Sequence, residues 1–204
     1  MSIVVRTHNK AVEARKGDHR MPPKLCLSCF LLLLTVLASA DTVEDEIAKA
    51  ILAAPPGLQS NAMVVQLAPN GSHTVLRDGS NGLVCWDRSD EPERSFSVQC
   101  TSVDNLPRVK QNHEWRMSGN SADEVRAIME KAEADGSREI SKFGSVYYSL
   151  NGEDLDSASA HMTIAIPFTN SESLDLPTQG NYAAAGVWIM EAGTSAAHIM
   201  VPGL

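Results

Sequence analysis

Two kinds of spacing divide the chain. Between positions 62 and 100 apolar residues come in short runs separated by turn-forming residues, whereas between 103 and 132 they recur at three- and four-residue intervals. The first pattern predicts strands over 62–68, 73–77, 83–86 and 96–100. Asn70-Gly71 and the Asp78-Gly79-Ser80-Asn81-Gly82 stretch supply the positive φ angles of tight hairpins, so this half reads as an antiparallel meander. The second pattern predicts two helices. Val103, Leu106, Val109, His113 and Met117 mark one over 104–117, with Pro107 in its first turn. Ser121-Ala122-Asp123-Glu124 is a capping box ahead of Val125, Ile128, Met129 and Ala132, and Gly136 ends the second helix.

An earlier helix is expected over 42–54, where Val43, Ile47, Ala50, Ile51 and Ala54 share a side and Pro55-Pro56-Gly57 stops it. Strand signals return after the helical pair. The run 144–150 leads into an Asn151-Gly152 turn, 161–168 is a second apolar stretch, and 184–191 and 196–201 close the chain. Strands on both sides of a central helical pair predict an α+β class: an antiparallel β meander or sheet packed against the helices.

Cysteine usage adds a staple. Cys85 and Cys100 stand fifteen residues apart, each in a predicted strand, with the charged segment 87–95 between them. Their pairing closes a loop worth about 3 kcal/mol of chain entropy. A redox or metal pair generally has C-x-x-C spacing, so the structural disulfide is the reading adopted.

That pairing needs an oxidising compartment, and the N-terminus implies one. A basic start at Met21-Pro22-Pro23-Lys24, an apolar run over 25–37 and Ala38-Ser39-Ala40 before Asp41 form a cleaved secretory signal. The run is short for a membrane anchor and is followed by acidic residues. Residues 1–20 are basic and polar and read as a start placed too far upstream, leaving 41–204 as one exported domain, periplasmic or secreted. Cys26 and Cys29 lie inside the signal and have no folded context for redox work. The leader carries six of the 17 basic and two of the 25 acidic residues, so the mature net charge is −12 instead of −8. Such an acidic body repels phosphate backbones, which argues against a nucleic-acid partner, and no membrane span is expected after cleavage.

The 78–85 segment, the second cysteine ahead of the helices, the Gly144 to Gly152 run and the closing Gly193-Thr194-Ser195-Ala196-Ala197-His198-Ile199-Met200-Val201-Pro202 resemble a group of uncharacterised bacterial exported proteins. The resemblance spans most of 62–204, with one extra residue in the Tyr147 run, and implies a compartment and a bacterial source but no catalytic residues. In that setting Asn70-Gly71-Ser72, although it fits the glycosylation sequon, reads as a turn.

Each catalytic class lacks a part. His113-Glu114-Trp115-Arg116-Met117 is half of a zinc-protease helix, with Met117 where the second imidazole belongs. Gly193-Thr194-Ser195-Ala196-Ala197 comes nearest to a serine elbow but lacks the final glycine. Asp154 and Asp156 fall in a polar turn, and no glycine-rich phosphate loop is present. The chain therefore implies no cofactor and no assigned metal site. His198 and Met200 share a strand face and, with His161 and His113, are the candidate ligand or metal residues. Two readings stand. One is a non-catalytic exported domain that binds a small ligand or an envelope protein through aromatic residues such as Trp86, Trp115, Tyr147, Tyr148, Tyr182 and Trp188. The other is a small exported hydrolase or metalloenzyme using His198 with His161 or His113.

Overall fold

Backbone pairing between the short apolar runs joins eight strands into one sheet in the computed structural model, which describes residues 42–119, 121–180 and 186–201. The leader read at 1–40, Cys26, Cys29, Tyr182 and Pro202 lie outside the described residues. The strands are β1 (Met63–Leu67), β2 (His73–Arg77), β3 (Leu83–Asp87), β4 (Phe96–Ser102), β5 (Val146–Gly152), β6 (Ser159–Ala165), β7 (Trp188–Met190) and β8 (His198–Val201), in the order β2-β1-β3-β4-β5-β6-β8-β7. Helix α1 covers 42–50 and runs into a 3-10 turn, Ile51–Ala53; α2 (Pro56–Gln59), α3 (Leu106–Ser118), α4 (Ala122–Asp135) and α5 (Ser171–Leu174) follow. The α+β class and the mostly antiparallel sheet agree with the hydrophobic pattern. Among the described residues no helix is long and apolar enough to cross a membrane.

The caps form where their residue types predict. Ser121 Oγ accepts from the Glu124 backbone N–H, and Gly136 ends α4 in the left-handed region at φ 75°. Pro107 sits in the first turn of α3, where its missing N–H costs nothing. Cys85 and Cys100 lie directly opposite each other on β3 and β4 and are bonded.

Two turn assignments are corrected. The meander expected through 62–87 breaks at β3, which pairs parallel with β1 instead of antiparallel with β2. Burial explains the choice: β1 is apolar on both faces and needs an interior position, whereas β2 is largely exposed and suits the edge. The 78–82 segment is thus no hairpin but a crossing over the entrance to β1. Ser80 N–H donates to Asn61 O at 2.8 Å, Asn81 Nδ2 to Leu58 O at 2.7 Å, and the Arg77 guanidinium to Ala62 O and Gln59 O. Asn151-Gly152 is likewise no turn. Both residues stay in β5, paired to β4 on one side with Asn151 also paired to β6 on the other, and the reversal falls at Asp154, whose Oδ1 accepts from Ser157 N–H and Oγ.

The sheet has helices on both faces. Ile47, Ala50, Ile51 and Ala54 of the N-terminal helical segment cover the face that carries Val64, the disulfide and Tyr148. Val43 stays 40% exposed and does not join them. On the other face Leu106 and Val109 of α3 pack on Val65, Leu67, Val84 and Trp86. Asn105, fully buried ahead of α3, donates to Thr101 Oγ1 and Ser145 Oγ and accepts from Lys142 N–H, pinning the helix start to the sheet.

Replacing Cys85 and Cys100 together by serine is expected to lower the unfolding free energy by about 3 kcal/mol, read from urea unfolding. Equal stability with and without reductant in the wild-type protein would contradict the staple. A Cβ at Gly79 would lie 2.1 Å from the Met63 backbone nitrogen. Gly79→Ala should therefore cost about 1–3 kcal/mol by overpacking in the same measurement.

Candidate functional site

Strand alternation sends one set of side chains from β3 to β8 toward the helical pair. Trp86, Gln99, Ser149 and His161 stand opposite one another on four successive strands, and Tyr147, Thr163 and Met200 form the next row. Helix α3 covers only the β1–β3 end of this face. Farther along, α3 and α4 stand off the sheet and leave a cavity of about 800 Å³. Its walls include Arg108, Asn112 and Arg116 from α3, Met129 and Glu133 from α4, Arg138 beyond α4, and the 190–198 segment.

One wall is organised by a buried carboxylate. Glu91 is 2% exposed and receives Arg88 at 2.7 Å, Arg94 at 3.0 Å and His113 Nδ1 at 3.3 Å, with Arg116 Nε in a looser ion pair at 3.7 Å. Burial opposes its ionisation, but the hydrogen bonds from His113 and Arg88 and the charges of Arg88 and Arg116 outweigh that and hold the carboxyl far below its usual range. Arg88 Nη1 also donates to Gln99 Oε1 at 3.2 Å, and Gln99 Nε2 to Ser149 Oγ at 2.8 Å, extending the network across the sheet.

A second cluster ties the 190–198 segment to the helices. Glu133 accepts from Ser195 N–H at 2.6 Å and from Ser195 Oγ at 2.5 Å, and these bonds lower its pKa against the effect of burial. Ser195 Oγ accepts in turn from Arg108 Nη1 at 3.2 Å, and Arg108 also donates to Glu139 O. Burial, then the charge of Arg138, brings the Arg108 pKa down to about 10. Arg116 is brought to about 10 by burial, then by Arg88.

The sequence-predicted candidates divide. His161, His198 and Met200 line the cavity together. His198 Nδ1 lies 2.8 Å from Ala196 O; a carbonyl only accepts, so Nδ1 carries the proton. Burial, then the charges of His198 and Arg88, lowers the His161 pKa and favours neutral imidazole. His113 is separate: it is 1% exposed, bonded to Glu91 through Nδ1, and its buried Nε2 has no partner among the described residues. No three His, Cys, Asp or Glu side chains among the described residues are grouped to hold a metal ion.

Sequence reading missed the arginines and their two carboxylates. Arg88-x-x-Glu91-x-x-Arg94 was legible as alternating charge at constant spacing, but in a turn-prone stretch such a pattern ordinarily lies in water. Ser195 belongs to the closing motif, yet the carboxylate it bonds is 62 residues away. Trp86 and Tyr147 line the cavity, whereas Tyr148 faces α1. No protein-family model, curated protein or solved structure matches the chain.

Glu91→Gln is expected to cost about 3–5 kcal/mol at pH 7, because it leaves buried guanidiniums without their anion. Since folding lowers the Glu91 pKa, this contribution is complete above the unfolded value of about 4.3 and is lost as pH falls further. The stability gap between wild type and Glu91→Gln should therefore narrow on acidification from pH 5 to pH 3 in urea titrations. A gap that stays constant with pH would contradict the buried-anion assignment.

Proposed function

We propose that the chain is a non-catalytic exported domain that holds a small organic molecule in the cavity between the helical pair and the sheet. The observation that carries this reading is the cavity itself: about 800 Å³, with a row of polar side chains on its floor and apolar side chains such as Trp86, Met129 and Met200 around it. The groups nearest to catalytic chemistry are engaged with one another. Ser195 is held by Glu133 and Arg108, and His198 Nδ1 is turned to the backbone. Such satisfied networks hold walls in place. The Cys85–Cys100 bond supports an oxidising compartment, in keeping with the signal read at 21–40 and with the resemblance to bacterial exported proteins.

One observation favours a second reading, a metalloenzyme built on His198 and His161: the two imidazoles line the same cavity. Met200 lines the same cavity and offers a soft thioether, while His113 does not line it.

The mass of the exported protein in native and denaturing solution, without reductant, tests the first reading. The denatured mass should correspond to 41–204 less two hydrogens, and the native spectrum should carry one small organic molecule. Thr163→Trp, which fills the floor, should abolish the added mass and any rise in melting temperature given by a metabolite panel. A wild-type protein that binds nothing in either assay overturns the reading, and a bound metal ion lost in His198→Ala replaces it with the second.

A further inference from the structure

The cavity holds more positive charge than its own carboxylates neutralise. Five arginines line it; Arg126 is exposed and pairs with Asp123, while Arg88, Arg108, Arg116 and Arg138 are not exposed and have two carboxylates engaged with them, Glu91 and Glu133. Arg94, also on Glu91, adds to the excess. Glu130 and Glu191 also line the cavity but, like the nearby Glu139, are exposed and screened by water. An unneutralised guanidinium withdrawn from water is costly, so a surplus of this kind needs an anion from outside.

Two of the four arginines are incompletely engaged. Arg116 Nε is 3.7 Å from Glu91, beyond hydrogen-bond length, and Arg116 feels the repulsion of Arg88, Arg94 and Arg138. Arg138 meets Glu133 at 3.5 Å through Nη1 and donates weakly to Met129 Sδ at 3.8 Å through Nη2, and its buried Nε has no partner among the described residues. The cavity wall also holds Asn112, whose buried Oδ1 has no partner among the described residues. By contrast Arg88 makes three bonds to Glu91, and Arg108 is held by Ser195 and Glu139. Planar guanidiniums with N–H groups left uncommitted or only weakly bonded match the oxygens of carboxylate and phosphate.

Resting on the cavity reading, we propose that the ligand is an organic oxyanion of two negative charges, a dicarboxylate or a phosphate monoester, whose oxygens take Arg116 and Arg138. Its body lies against Trp86, Val109, Met129 and Met200, which supply the apolar wall. Asn112 lines the same cavity, and its unpartnered Oδ1 accepts from a donor substituent. The acidic exterior makes a small free anion a better fit than a polymer, because a polyanion would meet the net charge of −8 before it met the arginines.

The test is calorimetric titration of the full chain, at fixed ionic strength, with probes that share one aromatic frame: phenyl phosphate, phthalate, benzyl alcohol and benzylamine. The dianions should bind at least about ten-fold more tightly than benzyl alcohol, as expected for charge-assisted bonds, and benzylamine more weakly still. Phenyl phosphate against phthalate decides between phosphate and carboxylate. Arg116→Gln and Arg138→Gln should each remove most of the dianion preference and leave benzyl alcohol binding unchanged. Lys131→Gln, which removes an exposed charge paired to Asp135 away from the cavity, should change nothing. Benzyl alcohol or benzylamine binding as tightly as the dianions overturns the oxyanion inference and leaves the cavity reading standing, as does retention of the preference in both arginine variants. Failure of all four probes overturns both.

Discussion

The register between β3 and β4 governs everything that surrounds it. Cys85 opposite Cys100 places Val84 and Trp86 toward the helical pair and the disulfide toward α1, and the same parity carries across β5, β6 and β8 through continuous pairing. A slip of one residue would turn Gln99, Ser149 and His161 into the apolar layer under α1 and bring Val98 and Leu150 to the cavity. The covalent bond excludes that slip, so the staple selects which face is charged as well as stabilising the sheet.

The two faces then obey different physics. Under α1 small residues close the layer, with Ala50, Ala54 and Ala62 against Val64 and the sulfurs. On the opposite face the apolar packing of α3 stops at Val109, and the next turns present Asn112 and Arg116 instead. Bulky guanidiniums that repel one another do not collapse into a close-packed layer. The helices are held off the sheet by the Glu91 and Glu133 networks, and the gap persists as a cavity.

Long-range bonding fixes one wall of that cavity. Ser195 reaches Glu133 across 62 residues and Arg108 across 87, so the closing segment, α4 and α3 meet at one hydroxyl. His198 and Met200 owe their place on the wall to this clamp and to the pairing of β8 with β6.

The sequence by itself determined the local elements and the disulfide. The Ser121 capping box, the Gly136 stop and the Cys85 to Cys100 spacing act within a few residues or within one hairpin, and they appear in the structure as read. The shared face of His198 and Met200 follows from strand parity alone. Only the tertiary structure decided the parallel insertion of β3 beside β1, since turn residues such as Asp78 and Gly79 serve a crossing as well as a hairpin. It also decided the charged cavity. Whether an arginine is solvated or buried depends on partners that no local pattern names, and Arg88, Arg108, Arg116 and Arg138 acquire their meaning from carboxylates and hydroxyls brought together by the sheet.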